Sequence, residues 1–286
     1  PGIDIRVWPD TGNKAEIDYA FVWKQPAGIL SDLPNLKVIF SLGAGVEHVL
    51  TDTTLPEHIP LVRMVDPTLV TGMVEFVVMR VLHYHRFMPD YEAQQKAGVW
   101  KQLPQLLPSE RRVGILGLGE LGAACAKALA GFGFDVSGWS RTAKDMAGVQ
   151  GFTGLEQLDA FLGRTDILVC LLPLTDQTRG ILNRQTLSAL PKGAYLINAA
   201  RGGHLVEDDL VPLLDAGHLA GATLDVFQVE PLPAAHPFWT HPKITIVPHA
   251  AALTHPGTAS RIVAANIDRH RRGEPLHNVV DRARGY

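Results

Sequence analysis

Three residues in the second half of the chain have side chains suited to acid–base chemistry on a small carboxylate: Arg201, Glu230 and His249. A guanidinium is always charged and can form two parallel hydrogen bonds to a carboxylate, so Arg201 can bind a small acid and polarise a neighbouring carbonyl group. An imidazole titrates near neutrality, so His249 can protonate an emerging alkoxide, a contribution of typically ~100- to 10,000-fold in rate. A carboxylate beside it, from Glu230, would stabilise the charged imidazolium and fix its orientation.

Each of these residues also has an ordinary structural interpretation. Arg201 could be a surface charge at a helix end, and Glu230 could be a solvated acid in a loop. His249 could be a histidine that caps a helix, and because the chain contains 12 histidines, any single one is a weak signal. Their common position argues for a site, because each follows an apolar segment predicted as a buried strand: 195–198, 222–227 and 244–247. The carboxyl ends of parallel strands meet at one edge of a sheet, so we expect the three side chains to converge there.

A glycine-rich turn precedes this set. It contains Gly117, Gly119 and Gly122 between a predicted strand at 112–116 and a predicted helix at 123–131. The first glycine allows the tight turn, the second lets the backbone approach a pyrophosphate, and the third lets helix and strand pack closely. The pattern predicts a dinucleotide site whose turn consists of Gly117, Leu118, Gly119, Glu120, Leu121 and Gly122.

The next predicted strand, 134–139, ends at Trp139 and is followed by Ser140, Arg141 and Thr142. An NAD site usually has an acid here that binds the ribose 2′-OH, and this chain has Ser140 instead. Arg141 can grip a 2′-phosphate and stack on adenine. We therefore predict that these four residues bind NADPH/NADP. The alternative is that Arg141 is a surface residue with no ligand role.

Buried strands alternate with helical segments, which predicts an α/β fold with a doubly wound parallel Rossmann sheet and a second, smaller flavodoxin-like α/β domain. We expect the dinucleotide-binding domain at 68–253 and the substrate domain at 1–67 plus 254–286, with the site in the cleft between them. The predicted segments outside those named above are strands at 19–22, 37–41 and 167–172 and helices at 68–86 and 258–272.

Two of the remaining segments bear on assembly. The helix at 68–86 is apolar nearly all round, which predicts burial between domains or between subunits. The segment 88–108 contains Trp100 and several leucines, and it is either a protruding arm that packs on a partner chain or an ordinary connecting loop. We expect a homodimer.

Composition restricts the class of protein. The 286 residues are 46% hydrophobic and 19% charged with a net charge of −3, typical of a two-domain globular protein and against a nucleic-acid partner. No apolar run approaches the ~20 residues that span a bilayer, and no secretory signal opens the sequence. Cys125 and Cys170 are predicted as small buried hydrophobes in a reducing compartment, with no metal site. We expect a cytoplasmic protein.

Nearly the whole chain resembles the D-isomer-specific 2-hydroxyacid dehydrogenase family. The sequence begins around the family's second strand, so we expect the family's first strand and helix to be missing from it. The turn at 117–122, the Leu-Pro-Leu-Thr segment at 172–175 and the order of Arg201, Asp225, Glu230 and His249 carry the resemblance. It implies catalytic roles for Arg201, Glu230 and His249, and it implies that Asp225 orients the nicotinamide carboxamide. The implied cofactor contacts also include Leu172, Pro173, Leu174, Thr178, Ala199, Ala200, Arg201 and His249.

The segments 22–26, 41–47 and 139–142 resemble family members that reduce glyoxylate and hydroxypyruvate. This implies a substrate site made by Trp23, Leu42, Gly43, Ala44 and Gly45 with Arg201 and His249. The glycine turn at 43–46 can present backbone N–H groups to a carboxylate. Trp23 would form one wall of a small pocket, or else it is an aromatic residue of the core. Formate dehydrogenases of this family have Gln where Glu230 stands, which argues against formate.

The predicted reaction is therefore NADPH-dependent reduction of glyoxylate to glycolate and of hydroxypyruvate to D-glycerate. A larger 2-oxo acid such as phenylpyruvate is one alternative substrate. A non-catalytic nicotinamide-sensing corepressor is an alternative of another class, but no acidic or disordered tail is present. A methyltransferase that binds S-adenosylmethionine in the glycine turn is a third, and it would have no use for the Arg–Glu–His set.

Overall fold

The computed structural model describes residues 3–283. Contacts divide the chain into two compact units, 1–68 with 254–286, and 69–253. The boundary thus lies one residue later at the first crossing than the sequence-based division. Pro1, Gly2 and residues 284–286 of the predicted substrate domain lie outside the described residues.

The smaller unit contains a three-stranded parallel sheet in chain order, in which β1 is Tyr19–Val22, β2 is Val38–Ser41 and β3 is Leu61–Val62. The short helix α1, Glu47–Leu50, follows β2. All four residues of β2 are buried, as expected for a central strand covered on both faces. The helix α8, Pro256–Arg271, packs Ile267 on Val38 and Phe40, so the end of the chain completes this unit.

Helix α2, Pro67–His85, leads into the larger unit, and α3, Met88–Lys96, follows it. The remaining strands are β4 (Arg112–Leu116), β5 (Asp135–Ser140), β6 (Val149–Thr153), β7 (Ile167–Cys170), β8 (Ala194–Asn198), β9 (Leu219–Leu224) and β10 (Ile244–Ile246). The remaining helices are α4 (Glu120–Gly131), α5 (Leu158–Gly163), α6 (Arg184–Ser188) and α7 (Glu207–Asp215). The seven strands form one parallel sheet in the order β10-β9-β8-β7-β4-β5-β6, so the predicted doubly wound α/β fold is confirmed.

The central strands of this sheet are buried throughout. β7 reads Ile-Leu-Val-Cys and β8 reads Ala-Tyr-Leu-Ile-Asn, with every residue buried because helices cover both faces. Cys170 lies in β7 and Cys125 in α4, both as free thiols in the core. Burial raises the pKa of each thiol to about 12, so both stay protonated and unreactive at neutral pH.

The strand order also fixes where a ligand can bind. From β4 the chain builds outward to β5 and β6, then returns to β7 on the other side of β4. The chain leaves β4 toward β5 on one side and leaves β7 toward β8 on the other side. These two connections diverge, which opens a crevice at the carboxyl ends of β4 and β7. The glycine turn begins directly after β4.

Helix α2 is buried on one face within the single chain and partly exposed on the other. Met73, Val77, Val81 and Tyr84 lie on one face, at positions separated by three or four residues, and pack into the core of the larger unit. The opposite face includes Met79, which is 50% exposed in the single chain. Uniform apolarity therefore overstates how much of this helix the chain itself covers.

Several elements had no assigned range in the sequence-based description: helices α1, α3, α5, α6 and α7 and strands β3 and β6. Helix α3 lies inside the segment predicted as an arm or a connecting loop; it buries no residue, so no apolar periodicity marked it. Strand β6 pairs only with β5 at the sheet edge, and its mixed composition, Val-Gln-Gly-Phe-Thr, gives no alternation. Among residues 3–283 no helix combines the length and the apolarity needed to cross a membrane.

Candidate active site

The turn after β4 has the geometry that a pyrophosphate requires. Gly117 has φ +100°, and a side chain there would meet the carbonyl oxygen of Leu171 at 2.8 Å. A side chain at Gly122 would collide with the carbonyl oxygen of Gly117. At Gly119, by contrast, a Cβ would meet no described atom within 4 Å, so this is the open side that a phosphate can approach.

Helix α4 begins at this turn without a side-chain cap on Gly119. The N–H groups of its first turn therefore remain for an anion, and the helix dipole favours negative charge there. The residues present fit a dinucleotide pyrophosphate. Of the turn residues, Leu118 points into the core, so its contact with a cofactor would be through the backbone.

The segment after β5 surrounds the place expected for the adenosine ribose. The Ser140 hydroxyl donates to the carbonyl oxygen of Thr142 at 2.8 Å, which closes a tight turn and leaves the Arg141 side chain exposed. Trp139 is buried, and its indole N–H donates to the carbonyl oxygen of Gly154 at 2.7 Å. Trp139 can therefore offer a cofactor only its backbone, whereas Arg141 can offer its guanidinium.

The loops that carry the three predicted catalytic residues begin side by side. They follow β8, β9 and β10, which are neighbours in the sheet. Backbone hydrogen bonds continue past the strand ends: Asp225 N–H donates to Asn198 O at 2.9 Å, and His249 N–H donates to Asp225 O at 2.8 Å. The structure thus brings Asp225 and His249 together at the edge where Arg201 also lies.

Glu230 and His249 form a direct pair, with 3.0 Å between Glu230 Oε2 and His249 Nδ1. The other carboxylate oxygen, Oε1, accepts the N–H of Phe227 at 3.2 Å, which holds Glu230 in its loop. Because a carboxylate accepts hydrogen bonds, Nδ1 carries a proton, and Nε2 is the ring nitrogen that can exchange a proton with a substrate. The two side chains are 32% and 20% exposed, so the pair is accessible.

His249 is held in a backbone conformation that costs energy for a residue with a side chain. Its φ is +52°, in the left-handed region. Asp225 stabilises this turn, because its Oδ1 accepts the N–H groups of Ala250 at 2.7 Å and Ala251 at 3.0 Å. Burial raises the pKa of Asp225, which is only 2% exposed, and the two backbone hydrogen bonds offset part of that rise.

Arg201 is positioned by the residue that ends β8. The amide of Asn198 accepts the N–H of Ala200 at 3.2 Å and donates to the carbonyl oxygen of Arg201 at 3.2 Å, which fixes the loop between them. The Arg201 guanidinium, half-buried, donates to Ala200 O at 2.6 Å. A Cβ on Gly202 would collide with the carbonyl group of Phe227, so the Arg201 loop packs against the loop of Glu230.

Hydrogen bonds between its own residues hold the segment after β7 in a folded loop. Thr178 Oγ1 donates to Pro173 O at 2.7 Å and accepts the Thr175 N–H at 2.8 Å, so its hydroxyl folds the loop back on itself. Leu172 is buried and Pro173 is exposed. Ala199 and Ala200, on the neighbouring loop, are each 6% exposed.

The predicted substrate residues of the smaller unit surround one turn. Trp23 is 39% exposed and its ring lies against Gly43, so Trp23 is not a core aromatic. Gly43 N–H donates to Ser41 Oγ at 3.3 Å, whereas the N–H groups of Ala44 and Gly45 donate no hydrogen bond within residues 3–283. Two N–H groups therefore remain for an anion. Leu42 pairs with β1 through its N–H, which donates to Val22 O at 3.0 Å.

Sequence reasoning missed two residues that organise the Arg201 loop, Asn198 and His204. Both lie within three residues of Arg201 and both are 0% exposed. The sequence signal for both residues was their proximity to Arg201, a charged residue that follows a buried strand. For His204 this signal was weak, because the chain contains 12 histidines. In the described part of the chain, no cluster of three or more His, Cys, Asp or Glu side chains is arranged to hold a metal ion.

Comparison with known proteins places this geometry in a family. Residues 78–251 match the family model described as D-isomer specific 2-hydroxyacid dehydrogenase, NAD binding domain. The chain belongs to the D-isomer-specific 2-hydroxyacid dehydrogenase family. The resemblance inferred from the motifs is thereby confirmed.

Curated and solved members of this family match over nearly their full length. The glyoxylate/hydroxypyruvate reductase A of Yersinia enterocolitica is 46% identical over 291 residues, covering 100% of this chain and 93% of the relative. A family member from Xanthobacter autotrophicus, solved with NADPH and MES, has a TM-score of 0.96 at 45% identity and covers 100% of this chain and 92% of its own. An NADPH-dependent glyoxylate/hydroxypyruvate reductase from Sinorhizobium meliloti, solved with NADP and sulfate, has a TM-score of 0.91 at 46% identity, with coverages of 95% and 87%.

Proposed function

We propose that this protein reduces small 2-oxo acids with NADPH, converting glyoxylate to glycolate and hydroxypyruvate to D-glycerate. The observation that carries the proposal is the Glu230–His249 pair, at 3.0 Å, on the same sheet edge as a glycine turn shaped for a dinucleotide. The relatives named above add support, since two are called glyoxylate/hydroxypyruvate reductases and two were solved with NADPH or NADP.

In the proposed reaction, Arg201 binds the substrate carboxylate and polarises the ketone. When bound, NADPH supplies the hydride that reduces the carbonyl carbon. His249 Nε2 donates a proton to the carbonyl oxygen, and the Glu230 carboxylate stabilises the imidazolium before that transfer. The products are the 2-hydroxy acid and NADP.

The remaining contacts belong to the same proposal. The turn at 117–122 and the α4 N-terminus bind the pyrophosphate, Arg141 binds the 2′-phosphate, and Asp225 orients the nicotinamide carboxamide. Ala44 and Gly45 donate N–H groups to the substrate, and the exposed ring of Trp23 limits its size.

The test is a panel of 2-oxo acids assayed by the loss of NADPH absorbance at 340 nm. We expect turnover of glyoxylate and hydroxypyruvate, weak turnover of pyruvate and phenylpyruvate, and lower kcat/KM with NADH than with NADPH. Efficient reduction of phenylpyruvate alone would assign the larger-substrate alternative. Cofactor binding without turnover of any 2-oxo acid would favour the corepressor alternative.

We also propose that the protein works as a homodimer in the cytoplasm, without a nucleic-acid or membrane partner. Apolar side chains lie exposed on α2 and on the segment that follows α3; Met79 is 50%, Trp100 98% and Leu107 64% exposed. A second copy of this chain would remove such area from water. Light scattering after size exclusion should give a dimer mass for the wild type and a smaller mass for Trp100→Ser.

A further inference from the structure

His204 is a buried histidine placed next to the Arg201 loop. It ends the short 3₁₀ turn Gly202–His204 that follows Arg201 directly, and it is 0% exposed. Both ring nitrogens face backbone carbonyls. Nδ1 lies 3.1 Å from the carbonyl oxygen of Arg201, and Nε2 lies 3.3 Å from the carbonyl oxygen of Pro173.

These two carbonyls belong to different loops of the site. Arg201 lies after β8, and Pro173 lies after β7, in the segment proposed to contact the cofactor. Farther from the strand ends, backbone hydrogen bonds already join the two segments, from Gly180 N–H to Gly203 O and from Leu182 N–H to His204 O, each at 2.9 Å. The His204 ring adds a side-chain link between Arg201 and Pro173.

Each end of this link is tied to further hydrogen bonds. Pro173 O also accepts the Thr178 hydroxyl at 2.7 Å, and Arg201 O also accepts the Asn198 amide at 3.2 Å and the His204 backbone N–H at 3.2 Å. A displacement of either loop would therefore break more than one hydrogen bond. Such connected buried networks hold their members in one arrangement.

We propose that His204 is a positioning residue: by bridging the carbonyls of Pro173 and Arg201, it sets the distance between the cofactor-facing loop and the loop of the substrate-binding arginine. The inference rests on the proposed reduction of 2-oxo acids. The side chain of His204 forms the bridge, because its ring contacts one carbonyl in its own loop and one carbonyl in the neighbouring loop. The contact that links the two loops is the one from Nε2 to Pro173 O, and a neutral ring with its proton on Nε2 makes it; a protonated ring donates to both carbonyls.

Three substitutions separate the two contacts. His204→Asn keeps a polar nitrogen near Nδ1 and so retains the contact with Arg201 O, within the loop. His204→Gln keeps a nitrogen near Nε2 and so retains the contact with Pro173 O, between the loops. His204→Leu keeps bulk and removes both contacts. If the bridge between loops is what matters, Gln must restore function better than Asn.

The expected kinetics follow from misplacement of Arg201. His204→Leu and His204→Asn should lower kcat/KM for glyoxylate about 10- to 100-fold, since a displacement of about 1 Å can cost 10²-fold. His204→Gln should stay within about 5-fold of the wild type. NADPH binding, followed by its fluorescence, should change less than the KM for glyoxylate in every variant, because the glycine turn carries most of the cofactor contacts.

His218 provides the matched control. It lies in the same unit, and its Nε2 lies 3.1 Å from the carbonyl oxygen of Leu187. Leu187 belongs to helix α6, which contains none of the proposed site residues. His218→Leu therefore removes one histidine–carbonyl contact of similar length away from the site. We expect a lower melting temperature with kcat/KM unchanged, which calibrates how much a purely structural loss contributes.

A second measurement does not depend on turnover. Oxalate, a small dicarboxylate, is titrated into the NADPH complex of each protein by calorimetry, and its affinity should fall in the order wild type, Gln, Asn and Leu. The inference is overturned if the His204 variants match His218→Leu in oxalate affinity, or if Asn restores function and Gln does not. If the wild type reduces no 2-oxo acid, the proposed function is contradicted. The oxalate affinities would then still decide the role of His204.

Discussion

Two regions of the larger unit illustrate different ways of building a binding site. The glycine turn at 117–122 works by leaving side chains out: the backbone itself approaches the ligand, and the constraints are steric. The strand ends after β8, β9 and β10 work by bringing charged side chains together, with Glu230 paired to His249 and Asp225 supporting the loop. The first region is a local property of six residues, whereas the second exists only when three distant segments meet.

The largest effect should come from the strand ends. His249→Ala removes the proposed proton donor, so kcat for glyoxylate should fall about 100- to 10,000-fold. The NADPH dissociation constant should change little, because the turn at 117–122 remains. Stopped-flow oxidation of NADPH and fluorescence titration measure the two quantities. Turnover within 3-fold of the wild type would show that the imidazole is not the acid.

Glu230→Gln tests the partner of that imidazole. The amide retains the size of the carboxylate but not its charge, so we expect kcat/KM to fall about 10- to 100-fold, less than in His249→Ala. The loss should appear in kcat more than in the KM for glyoxylate, because Glu230 contacts His249 and not the substrate. A kcat/KM within 3-fold of the wild type would separate Glu230 from proton transfer.

A pair of alanine substitutions compares two positions inside the glycine turn. In Gly122→Ala the new methyl group collides with Gly117 O, so we expect a loss of about 1–3 kcal/mol in unfolding free energy together with weaker NADPH binding. In Gly119→Ala the methyl group meets no described atom within 4 Å, so stability should be retained while NADPH binding weakens at least about 10-fold. Urea unfolding and NADPH titration distinguish these outcomes, and equal stability of the two variants would contradict the steric account.

Arg141→Ser tests the cofactor preference. Hydrogen bonds to a charged group contribute about 1.5–3 kcal/mol, so the ratio of kcat/KM for NADPH to that for NADH should fall roughly 10-fold or more. Lys144→Ser, a neighbouring exposed cation, is the matched control and should change the ratio less. An unchanged ratio in Arg141→Ser would return Arg141 to the role of a surface residue.

The smallest effect concerns Asp225 and pH. Burial raises its pKa in the folded protein, so the folded state holds the proton more tightly than the unfolded chain does. Stability should therefore fall as pH rises from the ordinary carboxyl pKa through the raised one. Asp225→Asn lacks this dependence, so the difference in unfolding free energy, variant minus wild type, should increase across that interval. Urea unfolding at several pH values measures it, and a constant difference would contradict the assignment.

An element of the fold or a residue of the site could be predicted when the residue types and spacing near it in the sequence were characteristic. The turn at 117–122, the buried strands β4, β7 and β8 and the order of Arg201, Glu230 and His249 were all evident from residue types and spacing. Helix α3 and strand β6 were not, because an exposed helix and an edge strand bury too little apolar surface to show a period. The predicted end of β9 was also wrong: the strand stops at Leu224, so Asp225 is the first residue of the loop.

By itself, the sequence determined the fold class, the family and the chemical types available at the site, because glycine spacing and apolar periodicity are properties of neighbouring residues. Only the tertiary structure decided which atoms meet. It placed Glu230 Oε2 on His249 Nδ1, turned the Trp139 ring into the core, and set the His204 ring between two loops. Most of these contacts join residues of different loops, and the packing of the whole sheet sets the positions of those loops and the directions of their side chains.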